Sequence, residues 1–189
     1  MFALAWLALA IAPWSRPAWV LENVLTAVVV PLAIVSFRRF RFSDRAYVQA
    51  TLFLLLHTVG SHYTYSLTPA GDWVRDALGL SRNHYDRLVH FSFGLLMLRP
   101  GRELAVRPPA SLPWRRQLGL AVALIAALSA IYEIIEWLTA IVADPAAGTA
   151  FLGTQGDEWD AQKDATCVVA GALLGAAIEG RGRRSLDLR

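Results

Sequence analysis

The sequence is poor in charge, in lysine and in cysteine. Of its 189 residues 17% are charged, against roughly a quarter in soluble domains, while 56% are hydrophobic and the mean hydropathy is +0.42. That balance leaves too little polar surface to solvate a globule of this size and excludes an ordinary water-soluble fold. The lone cysteine, Cys167, excludes an intrachain disulfide and a thiolate metal cluster. Lys163 is the lone lysine among 18 basic residues. The arginines stand in short blocks between apolar runs rather than on one polar surface, which marks membrane topology and argues against nucleic acid as a partner. No HExxH pair, no phosphate-cradling glycine loop and no Ser-His-Asp pattern announces a familiar hydrolase, and no internal repeat suggests a carrier.

What is present is apolar length. Periodicity and turn residues predict helices over 2–12, 19–37, 46–67, 85–98, 117–142 and 164–179. At about 20 residues per crossing this is one all-α, polytopic membrane helix bundle of about six transmembrane helices, a single domain spanning 1–189. The first run lacks the basic start and cleavage site of a signal peptide; it reads as a retained helix, with a native start upstream of Met1 left open. Arg38, Arg39, Arg41 and Arg45 follow the second helix, Arg99, Arg102, Arg107, Arg115 and Arg116 the fourth, and Arg181, Arg183, Arg184 and Arg189 the last. The alternate connections hold only Arg16, Arg75, Arg82 and Lys163, so both termini are expected in the cytoplasm, with 68–84 and 144–163 facing outward. Asp144 and Asp157 fall on that outer side.

Ionisable residues inside such helices are costly and normally face an interior site. Counting 1.5 Å per residue from the cytoplasmic arginines brings His62, Asp86, Glu133 and Asp164 to about 20 to 25 Å, in the outer part of the bilayer core. Asp86/His90, Glu133/Glu136 and Asp160/Asp164 each lie three or four residues apart, on one side of a helix. Carboxylates and imidazoles together suit a divalent metal, Zn²⁺, Mn²⁺, Mg²⁺ or Ca²⁺, with His62, Asp86, His90, Glu133, Asp160 and Asp164 as candidate ligands. Haem is not expected, because His57 and His90 stand at different heights. Glu133 and Glu136 are the candidate general bases of an enzymatic reading, and Tyr63, Tyr65, Arg87 and Trp159 the candidate substrate contacts. The competing structural reading is a network with Arg87 that pins the bundle. The second helix, bare of ionisable residues after Glu22, reads as scaffold. The fourth and sixth predicted helices are short, suggesting that their outer ends meet a water-reachable vestibule. Trp14, Trp19, Trp73 and Trp159 read as interfacial anchors, and Gly171-x-x-x-Gly175 as a close helix contact.

The motifs His62-Tyr63-x-Tyr65, Asp86-Arg87-x-x-His90-Phe91, Glu133-x-x-Glu136-Trp137 and Gly153-Thr154-Gln155-Gly156-Asp157-x-Trp159-Asp160-x-Gln162-x-Asp164 resemble those of the YjdF-type bacterial inner-membrane proteins, a family of unknown function within the VanZ-like group. Glu136 stands where the VanZ-like pattern has Gln, and Val168 where it has Asn. The resemblance implies a multi-pass fold in the bacterial inner (cytoplasmic) membrane and no particular reaction. The expected role is an outward-facing His/carboxylate site that binds a divalent cation, a polar envelope-lipid headgroup, or both, in contact with the lipid bilayer. The alternatives are a membrane-embedded metal-dependent hydrolase acting on an envelope lipid, and a proton- or ion-coupled transporter. The oligomeric state is open.

Overall fold

Helix starts are set by short polar side chains and proline. The computed structural model describes residues 2–106, 112–143 and 145–187; the topology markers Arg107, Asp144 and Arg189 lie outside the described residues, as do the side chains of Arg183 and Arg184. Among the described residues the chain is helical without strands: α1 (Phe2–Leu9), α2 (Arg16–Ser36), α3 (Asp44–His62), α4 (Pro69–Leu78), α5 (Tyr85–Ala105), α6 (Trp114–Val142), α7 (Pro145–Leu152) and α8 (Asp160–Asp187). Ser15 and Ser43 cap α2 and α3 by accepting from the amides of Ala18 and Ala46. Pro69 opens α4, and Gly79, in the left-handed region at φ 63°, closes it.

Among the described residues two helices, α2 and α6, are long and apolar enough to cross a membrane. Their outer faces expose Val24, Val28, Leu32 and Val35 on α2 and Ile131, Ile134, Ile135 and Leu138 on α6, a surface that suits hydrocarbon. On α6 the half-buried Tyr132, Glu133 and Glu136 alternate with those exposed residues at the helical period, so both glutamates point into the bundle. The amphipathic α4 exposes Trp73 (74%) and Leu78.

Helix α5 is the hub. It packs most extensively on α8 and also meets α3 and α6. The α5–α8 approach is close because glycines line it: a Cβ on Gly94 would lie 2.0 Å from the Val168 carbonyl oxygen, and one on Gly171 2.1 Å from that of Phe91. Asp164, Val168, Gly171, Ala172 and Gly175 form the buried stripe of α8, so the small-residue spacing does mark a helix contact. Leu98, Ala121, Ile125, Val168 and Ala172 make the core of α5, α6 and α8.

Several predicted limits shift. The described α1 ends at Leu9 rather than 12, turning through Ala12 at φ 48°, and its rise of about 12 Å is short of a crossing. Helix α5 continues past 98 to Ala105, through Pro100 and Gly101. The first two arginines of the block that suggested an end are paired in place: Arg99 Nε lies 2.7 Å and Arg102 Nε 3.3 Å from the Glu179 carboxylate of α8. Helix α8 starts at Asp160 and has 28 residues. Neither helix is short, so the vestibule argument from short helices loses its premise. The connections 68–84 and 144–163 each contain a short helix, α4 and α7.

Candidate functional site

The i, i+4 spacing on α5 places Asp86 and His90 on the face that meets α8, where Asp164 opens the buried stripe. These three residues offer ligand atoms that all lie within 4.8 Å of one another. His90 Nε2 is 3.4 Å from Asp86 Oδ1 and 3.8 Å from Glu133 Oε1 on α6, so three helices converge on one imidazole. Asp164 is 2% exposed. Its Oδ1 and Glu133 Oε1 are buried without a hydrogen-bond partner. Orphaned carboxylate oxygens at this depth are expensive, and a divalent cation of the hard or borderline kind satisfies them. The donor set therefore fits the metals expected from the sequence.

A second layer lies against the first. Arg87 Nη2 donates to Asp157 Oδ2 at 2.6 Å and to Asp160 Oδ1 at 3.3 Å, and its Nε stands 3.8 Å from Asp164 Oδ1. Arg82 Nη1 joins Asp160 Oδ1, Asp157 Oδ2 and the Thr154 carbonyl. Asp160 is thus shared, with Asp157, between the two guanidiniums and is not one of the three clustered ligands. The 153–157 loop is latched by Gln155, at φ 50°, whose amide accepts from the Asn83 N–H (3.0 Å) and donates to the Asn83 carbonyl (2.8 Å). Asn83 is fully buried; its side chain reaches the Thr68 carbonyl, Asp72 and the Tyr85 amide, and it occupies the space a Cβ on Gly71 would need, 1.8 Å away.

Lys163 and Arg87, both hydrogen-bonded to Asp157, hold its carboxyl well below the usual carboxylate range. A carboxyl depressed in the folded state stabilises it fully above its ordinary value of about 3.9 and loses that contribution as pH falls below it. Hydrogen-exchange protection of residues 153–157 should accordingly hold constant from pH 8 to 5 and decline only below about pH 4. Loosening between pH 7 and 5 would contradict this latch.

The other predicted residues separate. His62 is not brought to the cluster: its Nδ1 pairs with the Leu9 carbonyl at 2.8 Å, serving the C-terminus of α1, and its ring meets Tyr63 edge-on at 4.5 Å. Tyr65, at φ 53°, buries its hydroxyl on His57 Nδ1, its ring filling the space that Gly60 leaves. Trp159 is 57% exposed at the loop. Glu136 lies one turn beyond Glu133 on the inward face of α6. Sequence reasoning passes over Glu22, which is buried on α2 and accepts from the Tyr132 hydroxyl at 3.2 Å; an acid inside the run 19–37 was its signal. It also passes over Arg82 and Asn83, whose loop position gave none.

A family model described as "Predicted membrane protein (DUF2238)" matches residues 1–184. The "Inner membrane protein YjdF" of Escherichia coli (strain K12) is 38% identical over 164 residues, covering 86% of this chain and 78% of that protein. No solved structure matches.

Proposed function

The chain belongs to the DUF2238 family of predicted membrane proteins, and we propose that it is a multi-pass inner-membrane protein whose Asp86/His90/Asp164 cluster binds a divalent cation and presents it to a polar envelope-lipid headgroup. The observation that carries this is the convergence of three ligand atoms within 4.8 Å beside the orphaned Glu133 and Asp164 oxygens. We read α2, α3, α5, α6 and α8 as crossings, with the arginine-rich 38–45 segment, the C-terminal end of α5 and the end of α8 cytoplasmic, which puts the cluster in the outer half of the bilayer and the 153–157 loop over it. The Asp86-Arg87-x-x-His90-Phe91 helix and the Asp164, Gly171 and Gly175 positions support a VanZ-like grouping.

A hydrolytic role has one specific observation in its favour. Glu133 Oε1 has no hydrogen-bond partner and lies 3.8 Å from the candidate ligand His90, a position from which it would act as the general base if a cation were held there. A bound metal would supply Lewis acidity there. Glu136, a turn further in, is the less direct base.

Elemental analysis of the purified protein in detergent tests the cation reading. The expected result is close to one divalent ion per chain after dialysis against micromolar Mn²⁺ or Zn²⁺. A folded preparation that carries no more metal than a detergent blank contradicts it.

A further inference from the structure

Arg82 is a buried guanidinium with more donors than partners. Its side chain is 8% exposed, and Nη1 alone makes its hydrogen bonds, to Thr154, Asp157 and Asp160. Nε and Nη2 are buried without a partner. Arg87 repeats the pattern: Nη2 takes Asp157 and Asp160, while Nε is buried without a hydrogen bond, 3.8 Å from Asp164 Oδ1. Desolvated donors on charged groups are among the costliest atoms to leave unpaired. Here three of them sit on two guanidiniums joined through the same two aspartates.

The local charge says what kind of group pairs with them. Arg82, Arg87 and Lys163 face Asp157 and Asp160, one positive charge over on the guanidinium side, whereas Asp86, Asp164 and Glu133 gather about His90 on the cation side, so the excess lies at the arginines and not across the whole site. Adjacent guanidinium forks match the oxygens of a tetrahedral oxyanion, and a metal next to them takes oxygen ligands of the same group.

We propose that Arg82 and Arg87 form the anion half of the site and bind the phosphoryl group of a phosphorylated ligand beside the cation. This rests on the cation reading given above. Phosphoryl chemistry is shared by a lipid headgroup and by free phosphate, and the test separates the two sources.

The test measures Mn²⁺ affinity of the full chain in dodecyl maltoside micelles, which contain no phosphorus, by the electron paramagnetic resonance signal of free Mn²⁺. It is repeated with inorganic phosphate added, and with phosphatidic acid mixed into the micelles. The expected result is affinity tightened about tenfold or more by phosphoryl groups in the wild type, with Arg82→Gln and Arg87→Gln binding Mn²⁺ without that enhancement. Tightening in the phosphatidic acid arm alone assigns a lipid headgroup; tightening in both arms assigns the phosphoryl group from either source. If Arg82→Gln fails to insert, Arg82→Lys carries the same test, since it keeps the charge and loses the fork. Mn²⁺ binding that ignores both phosphoryl sources, or an enhancement that survives both arginine substitutions, overturns this inference alone. Wild type that binds no Mn²⁺ under any condition overturns the cation reading with it.

Discussion

Asp164→Asn should weaken Mn²⁺ binding by about a hundredfold or more while the protein stays inserted and folded. Removing an outer-shell partner of a metal ligand typically costs 10- to 100-fold, and a ligand itself should reach the top of that range. The amide is nearly isosteric with the carboxylate, so the helix contact is preserved. Asp164 Oδ1 makes no hydrogen bond that the amide would break, and its neighbour Arg87 Nε is 3.8 Å away. Thermal unfolding without metal should therefore be unchanged or slightly later than wild type, since a buried charge has been removed. The pinned-network reading makes the reverse forecast: an Asp164→Asn chain that unfolds earlier, with Mn²⁺ affinity equal to wild type. Titration of both proteins with Mn²⁺, alongside melting curves, decides between them.

The second large effect is steric. A methyl on Gly94 meets backbone, the Val168 oxygen at 2.0 Å and the Ala172 nitrogen at 2.8 Å, and backbone cannot rotate aside as a side chain can. Helices α5 and α8 must separate, at a cost near or above the roughly 1–3 kcal/mol usual for overpacking. Because Asp86 and His90 ride on α5 and Asp164 on α8, the same displacement should abolish stoichiometric metal. Gly119→Ala on α6 is the control: nothing lies within 4 Å of its Cβ, and in a helix the change should stabilise by about 0.5–1 kcal/mol. Equal melting temperatures for the Gly94→Ala and Gly119→Ala chains would show that α5 and α8 are not locked together as described.

How far the sequence could be read follows from which interactions are local. Helical spacing made Asp86/His90 and the inward Glu133/Glu136 pair legible, and the Gly171-x-x-x-Gly175 contact with them, because three- and four-residue periods belong to one helix. Depth counting was sound enough to bring Asp86, Glu133 and Asp164 to one level. It was blind to rotation about the helix axis, and so it also enrolled His62, whose ring turns to the end of α1. Helix ends at the arginine-rich side were misplaced because Arg99 and Arg102 read as boundary markers until Glu179, about eighty residues on, is known to pair with them. Asn83 and Gln155 act through backbone hydrogen bonds between distant loops, which no spacing rule exposes. Glu22 was overlooked for a different reason: the helix that carries it is otherwise apolar and reads as scaffold, whereas α2 buries it against Tyr132.

The central claim, that Asp86, His90 and Asp164 together hold a divalent cation, is tested most directly by pulsed electron paramagnetic resonance on the Mn²⁺-loaded protein. One bound Mn²⁺ should show nitrogen modulation from a single imidazole. In His90→Gln that modulation should vanish, while His62→Gln leaves it intact. A bound ion without nitrogen modulation, or with modulation that persists in His90→Gln, would contradict the account.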